Sequence, residues 1–263
     1  NFPLYSLRVK LIPKLTIFLC TFIGASTIVV AEPLLEVLPP FFLLGLRFIL
    51  AALLLACLLP KKVFPISRES LKAGLLTGSG FGAGCAMLYF ALPHVRAGKL
   101  TFLIALEVVL VPIICLVIYR QQISLSERLA LLPAVIGLWL LTGNGESPIS
   151  WWEVIGLLSA VSYSIYTISL SHSPANVSVL SRSFISFLLI GLSSLGLSLA
   201  LESTATVDWT KSILSSLFYL VIVGSVARFL LQAWAQKFVS ASFTALTFSA
   251  EPVFAIMLSF SLL

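Results

Sequence analysis

Apolar runs, separated by short polar segments, follow one another along the whole chain. An α-helix needs roughly 20 predominantly apolar residues to cross the hydrocarbon core of a bilayer. The runs predict nine such helices, over residues 15–31, 39–59, 71–92, 97–118, 128–141, 151–171, 177–201, 213–236 and 241–263. The pattern therefore predicts an all-α integral membrane protein.

The polar segment 144–150 divides these spans into two groups. It contains Asn144, Gly145 and Pro148, which are residue types that end regular structure. Residues 1–143 then hold five spans as a first repeat, and residues 151–263 hold four as a second. Because the two groups are unequal, we expect that a tenth helix is missing from the second one.

The two halves carry a weak internal repeat. A shift of 144 positions places Glu107 on Glu251 and Gly80 on Gly224. Carboxylates at matching positions inside two spans favour a duplication, since the chain has only ten acidic residues. Five spans per repeat is an odd number, so the second copy enters the membrane from the opposite side. The halves are therefore predicted to be inverted repeats.

Composition agrees with this class, because 59% of the residues are apolar, 10% are charged and the mean hydropathy is +1.11. The net charge of +6 would by itself suggest an acidic partner such as nucleic acid. The positions of the basic residues instead indicate topology. With the N-terminus in the cytoplasm, most of them lie on the cytoplasmic side, as the positive-inside rule requires: Arg8, Lys10, Lys14, Lys61, Lys62, Arg68, Lys72, Arg120, Arg128 and Lys237. Nucleic-acid binding is therefore not expected.

Charged residues inside the predicted spans are the main candidates for a functional site. Glu107 lies in the fourth span, Arg228 in the eighth and Glu251 in the ninth. At about 1.5 Å of rise per residue, Arg228 and Glu251 reach a similar depth in adjacent spans, so an ion pair between them is geometrically possible. An intramembrane charge is costly and points to function. Two interpretations stay open for the glutamates: a charged substrate or proton site, and a structural contact between helices.

A polar stripe runs along the eighth span. Arg228, Gln232 and Gln236 are spaced i, i+4 and i+8 and share one helix face. Such a stripe lines a cavity or binds a neighbouring helix, and the cavity is the interpretation that we prefer. Tyr89 and Trp234 are candidate aromatic walls of this cavity, with core packing as the alternative.

Two further arginines lie within spans. Arg182 is only a few residues into the seventh span, so its head group is expected to reach the cytoplasmic surface. Arg47 lies deeper in the second span and is interpreted as structural.

Sequence motifs of enzymes and metal sites are missing. The chain has no GxxxxGK[ST] phosphate-binding loop and no HExxH or CxxC. The glycines from Gly74 to Gly84 have the small-xxx-small spacing that lets membrane helices pack closely. We therefore expect no cofactor, no metal and no enzymatic activity.

Several segments resemble a known family. They are residues 232–255, which include Glu251-Pro252, residues 97–102 (Ala-Gly-Lys-Leu-Thr-Phe) and Leu46-Arg47-Phe48. These segments are similar to helices of the drug/metabolite transporter superfamily, in its EamA-type branch. The resemblance implies ten helices in two inverted five-helix repeats, cytoplasmic termini, and transport or export of amino acids, other metabolites or drugs.

The sequence therefore predicts a secondary transporter of the bacterial inner membrane, with the lipid bilayer and a small-molecule substrate as its partners. It is expected to export small metabolites by alternating access, with protons as coupling ion at Glu107 or Glu251. Two alternatives stay open. One is a truncated membrane protein that does not transport, or an assembly partner; the other is an intramembrane enzyme, which lacks a recognisable nucleophile and base.

Overall fold

The computed structural model describes residues 2–91, 94–95, 100, 103–121, 150–203 and 207–262, together with positions 125, 129, 131–132 and 136, and it describes side chains from residue 11 to residue 258. All regular structure in these residues is helical. The helices are α1 (Phe2–Leu35), α2 (Pro40–Leu58), α3 (Pro60–Val63), α4 (Arg68–Ala91), α5 (Glu107–Tyr119), α6 (Trp151–Ser171), α7 (Val179–Leu201), α8 (Lys211–Tyr219), α9 (Arg228–Ala235), α10 (Ala241–Phe248) and α11 (Glu251–Leu262). A π-helical segment, Leu220–Ala227, joins α8 to α9 in one continuous span.

Seven helical stretches in the described residues are long and apolar enough to cross a membrane. They are Leu11–Leu35, Pro40–Leu58, Arg68–Ala91, Trp151–Ser171, Val179–Leu201, Lys211–Ala235 and Ala241–Leu258, and a shorter apolar helix covers Leu103–Tyr119. These eight stretches correspond to eight of the nine predicted spans, and the all-α membrane fold is confirmed. The predicted fifth span, 128–141, and most of the segment 144–150 lie outside the described residues.

The helices of the two halves interleave. Helix α1 packs against α9 and α11 of the second half, and α6 packs against α4 and α5 of the first. Likewise α2 packs against the π-helical segment of the second half, and α7 packs against α4 of the first. The helices α2 and α7 also pack against each other, as do α5 and α10. Under the shift of 144 positions the contacts of α1 exchange with those of α6, and the contact of α2 with the π-helical segment exchanges with that of α7 with α4. A two-fold relation between the halves produces this kind of pairing.

The repeat-matched glycines allow the interleaved helices to approach closely. A Cβ atom added to Gly80 of α4 would lie 3.0 Å from the backbone nitrogen of Tyr166 in α6. A Cβ atom added to Gly224 would overlap the Thr27 side chain of α1. Each glycine therefore lets its span lie against the first helix of the opposite half, which is the role of small residues in membrane helix packing.

A carboxylate from the second half caps the first turn of α2. Pro39 and Pro40 open this helix, and no side chain at the N-cap position bonds to its free N–H groups. The N–H groups of Phe41 and Phe42 instead donate to the two Glu202 carboxylate oxygens, at 2.7 and 3.0 Å. A negative charge is favourable at a helix N-terminus. Glu202, directly after α7, thus ties the second spans of the two halves together.

Replacing Glu202 by alanine is expected to lower the free energy of unfolding by about 1–2 kcal/mol, because two helix N–H groups lose their acceptor. Unfolding in detergent micelles, followed by circular dichroism, measures the loss. Asp208→Ala is the matched control, since Asp208 is an exposed acid whose side chain has no partner in the described part of the chain. Equal losses in both variants would contradict the capping role.

Candidate functional site

The two repeat-matched glutamates each follow a break in a spanning helix. Glu107 is the first residue of α5, after a turn at Leu106. Glu251 is the first residue of α11, after a turn at Ser249 and Ala250. Each carboxylate therefore lies at the start of a half-helix, the end at which the helix dipole is positive. Discontinuous helices of this kind form substrate and ion sites in transporters.

Arg228 and Glu251 form an ion pair between α9 and α11. Arg228 Nη2 lies 3.1 Å from Glu251 Oε1, and the two side chains are only 12% and 19% exposed. Arg228 Nε also donates to the carbonyl oxygen of Cys20 in α1, at 3.2 Å. The guanidinium carbon lies 5.4 Å from the centre of the Phe248 ring. The ion pair that the similar depths of Arg228 and Glu251 made possible is thus formed. It joins α1, α9 and α11.

Gly24 in α1 provides the space for this pair. A Cβ atom at Gly24 would overlap Glu251 Oε1 and would lie 2.6 Å from Arg228 Nη2. The carboxylate and the guanidinium therefore rest directly on the α1 backbone. A glycine contact of this kind leaves no signal in the sequence, because it depends on which helix lies opposite.

Glu107 is bound to the other half of the molecule. The Thr167 hydroxyl of α6 donates to Glu107 Oε1 at 2.5 Å. Glu107 is also close enough to Arg228 and Glu251 for their charges to interact. Within the described residues Glu107 has no cationic side chain in salt-bridge contact, in contrast to Glu251. The two repeat-related carboxylates therefore have different partners.

The polar stripe of the eighth span forms a hydrogen-bonded chain with α6. The Tyr166 hydroxyl donates to Gln232 Oε1 at 3.1 Å, and Gln232 Nε2 donates to Gln236 Oε1 at 3.0 Å. Gln236 Nε2 donates to the Thr167 carbonyl at 3.1 Å and to Ser171 Oγ at 2.9 Å. Both glutamines are 1% exposed. Because Thr167 also binds a glutamate, the chain connects the stripe to Glu107.

A polar cavity of about 260 Å³ lies at the end of this chain. Gln236 and Ser171 line it together with Gln121, His172 and Lys237. The His172 ring stacks on Tyr119 at 3.9 Å between centroids. The cavity therefore meets the hydrogen-bonded chain that leads to Glu107.

An apolar groove of about 370 Å³ lies between α2 and α8. Leu53 and Phe218, which line it, are 52% and 67% exposed. None of the candidate site residues lines this groove. Its apolar lining suits a lipid tail and not a polar substrate.

The two predicted aromatic walls lie in different environments. Tyr89 is partly buried, meets the Phe41 ring edge-on at 6.2 Å, and interacts electrostatically with Arg47. Trp234 is 40% exposed and its ring packs on Phe238 at 5.5 Å. The structure thus brings Glu107, Arg228, Gln232 and Glu251 together and leaves Trp234 on the outer face.

The expectation for Arg182 is wrong. Its side chain is 1% exposed and does not reach the surface. Arg182 Nη1 donates to Ser173 Oγ just beyond the end of α6, where helix carbonyls favour a cation. The start of α7 lies close to Gly74 of α4, whose added Cβ would be 2.9 Å from the Arg182 carbonyl oxygen. The arginine is thus held among packed helices, with its head group bound to Ser173.

Comparisons with known proteins support a membrane transporter. An "Uncharacterized transporter" of Buchnera aphidicola subsp. Schizaphis graminum (strain Sg) is 24% identical over 94% of this chain and 84% of its own length. A solved crystal structure shares the fold with a TM-score of 0.73 at 18% identity, over 96% of this chain and 87% of that one. In the residues that the structure describes, no group of three or more His, Cys, Asp or Glu could hold a metal ion.

The profile of one transporter family matches both halves separately, over residues 11–143 and 150–263. Together the two matches cover nearly the whole chain, and they agree with the helical membrane fold and with the interleaved halves. This multi-pass membrane protein therefore belongs to the EamA-like transporter family.

Proposed function

We propose that the chain is a secondary transporter that exports a small polar or amphipathic metabolite across the bacterial inner membrane by alternating access. The observation that supports this function is the position of Glu107 and Glu251, each at the start of a broken half-helix and each in contact with the opposite half. Both carboxylates therefore lie at the interface between the two halves, which would shift during alternating access. They can therefore respond to that movement.

The contacts of the two glutamates suggest different roles. Glu251 is neutralised by Arg228 and rests on Gly24 of α1, so it holds three helices together. Glu107 accepts a single hydroxyl hydrogen bond from Thr167 and has no cationic partner in salt-bridge contact among the described residues. A carboxylate without a cationic partner among the described residues can take up a proton without breaking an ion pair there. We assign proton coupling to Glu107.

The N-terminus is proposed to lie in the cytoplasm, as the positive-inside rule requires. This orientation places Lys237 and the polar cavity at the cytoplasmic side. Thr167 then lies between that side and Glu107, since its carbonyl accepts from Gln236 and its hydroxyl donates to Glu107.

The experiment is transport by the purified chain in proteoliposomes. Labelled amino acids and cationic dyes are loaded, and their efflux is followed with and without an imposed pH gradient. Efflux above that of protein-free vesicles supports the function. If no compound of the panel moves faster than in those vesicles, with or without the gradient, the proposed function is wrong.

Glu107→Gln is expected to remove the response to the pH gradient while leaving exchange across the membrane at equal pH. The glutamine oxygen still accepts the Thr167 hydrogen bond, so the fold is kept. One proton moving down one pH unit supplies about 1.4 kcal/mol, enough for about tenfold accumulation. Accumulation ratios in proteoliposomes measure the effect. Thr167→Val is the control, because it removes the hydroxyl but keeps the titratable group; unchanged accumulation by Glu107→Gln would assign coupling elsewhere.

A further inference from the structure

Arg47 lies within α2, and its guanidinium group makes a hydrogen bond through one of its three nitrogens. Its Nε donates to Ser225 Oγ of the π-helical segment at 2.6 Å. Its guanidinium carbon lies 5.3 Å from the centre of the Phe48 ring. The Ser225 hydroxyl in turn donates to the Leu220 carbonyl at 3.1 Å. One nitrogen of the guanidinium is therefore fixed and the plane of the group is set.

The other two nitrogens of Arg47 have no hydrogen-bond or salt-bridge partner among the described residues. No carboxylate of the described residues forms a salt bridge with Arg47, and neither terminal nitrogen makes a hydrogen bond in that part of the chain. Neither nitrogen is fully buried. Among the described residues, the fully buried side-chain nitrogen without a hydrogen-bond partner is Arg182 Nη2 and not an atom of Arg47. An unpaired cation inside a membrane is costly, so its available edge needs an explanation.

The three arginines with described environments within spans differ in this respect. Arg228 is paired with Glu251. Arg182 is enclosed between helices. Arg47 is half-buried, and two nitrogens of its guanidinium lack a hydrogen-bond partner among the described residues, beside the π-helical segment of the second half.

The π-helical segment is shaped around the Arg47 guanidinium. A π-helix is rare in proteins and occurs frequently at functional sites. Here it presents Ser225 to Arg47 Nε, and a Cβ atom added to the preceding residue, Gly224, would lie only 3.0 Å from Arg47 Nη2. The absence of a side chain at Gly224 thus lets the π-helical segment lie close to this nitrogen.

We propose that Arg47 binds the carboxylate of the transported substrate, an inference that rests on the proposed function. The planar fork of a guanidinium matches a carboxylate with two parallel N–H···O bonds. With Nε bound to Ser225, the edge formed by Nη1 and Nη2 takes this role. The Phe48 ring beside the guanidinium suits a compound with one carboxylate and an apolar or aromatic body.

The test compares acids with their uncharged-carboxyl counterparts. Phenylacetate and L-phenylalanine, with phenylacetamide and L-phenylalaninamide, are added to the purified chain in detergent, and affinity is read from the shift in thermal stability. The parent protein is expected to bind each acid roughly 10- to 100-fold more tightly than its amide. Arg47→Gln is expected to abolish this preference, and Arg47→Lys to keep part of it.

Two further variants separate binding from folding. Ser225→Ala keeps the guanidinium but frees its anchored nitrogen, and it is expected to reduce the preference about threefold. Arg182→Gln removes a fully buried arginine of another span, and it is expected to lower stability without changing the ratio of acid to amide affinity. Equal acid and amide affinities in the parent, or an unchanged preference in Arg47→Gln, would overturn the inference.

Efflux of the same four compounds from proteoliposomes distinguishes this inference from the proposed function. Arg47-dependent acid binding without efflux of any compound would support the binding site and contradict transport. Efflux of amides or dyes without a preference for acids would support transport and contradict the binding site. Neither binding nor efflux would contradict both.

Discussion

Replacing Gly24 by alanine is expected to destabilise the protein by about 3 kcal/mol or more, although only one methyl group is added. The new Cβ would occupy the position of the Glu251 carboxylate and press on the Arg228 guanidinium. The ion pair would have to open, and a buried charge without its partner costs about 3–5 kcal/mol. Unfolding of the purified chain in detergent measures the loss.

Gly196→Ala is the matched control for this substitution. Gly196 lies in the interior of α7, and an added Cβ would meet no atom within 4 Å. Because alanine is the better helix former, this variant is expected to be neutral or more stable by up to about 1 kcal/mol. A Gly24→Ala protein as stable as Gly196→Ala would show that the ion pair does not rest on α1.

Breaking the ion pair from either side is expected to cost about 3–5 kcal/mol. Arg228→Met leaves Glu251 charged among apolar neighbours, and Glu251→Gln leaves Arg228 without its counter-charge. The double variant leaves neither charge, so it is expected to be more stable than the sum of the single losses predicts, by about 1–3 kcal/mol. The four unfolding free energies form a double-mutant cycle.

The same double variant decides between the two interpretations of Glu251. If it folds and still transports, the pair only fastens helices. If it folds without transporting, the pair takes part in the transport cycle. Single losses that add within about 0.5 kcal/mol would show that the two side chains do not interact.

The features that hydropathy controls could be predicted from the sequence. Span positions follow from apolar length, and the Arg228–Glu251 pair follows from two charges at equal depth, each of which needs a partner inside a bilayer. The repeat of Glu107 and Glu251 pointed to related positions, and the structure places both at helix breaks.

Only one of the two helix breaks has a signal in the sequence. Pro252 is a signal at the second one, because proline has no N–H to donate and is favoured in the first turn of a helix, although the apolar pattern predicts 241–263 as one span. Nothing comparable precedes Glu107, where Leu106 turns under tertiary contacts. The burial of Arg182 and the π-helical segment also depend on neighbouring helices. These features come from packing between segments distant in sequence, which local patterns do not contain.

The interleaving of α1 with the second half has a consequence for biosynthesis. Gly24 is made about 200 residues before its partner Arg228. At about 5–20 residues per second, α1 resides in the membrane for roughly 10–40 s before the ion pair can close over it. During that time the glycine surface of α1 faces lipid or an insertion factor. The contacts of α1 with α9 and α11 therefore form only after the chain between them has been made, so the helices do not pack simply in the order of their synthesis.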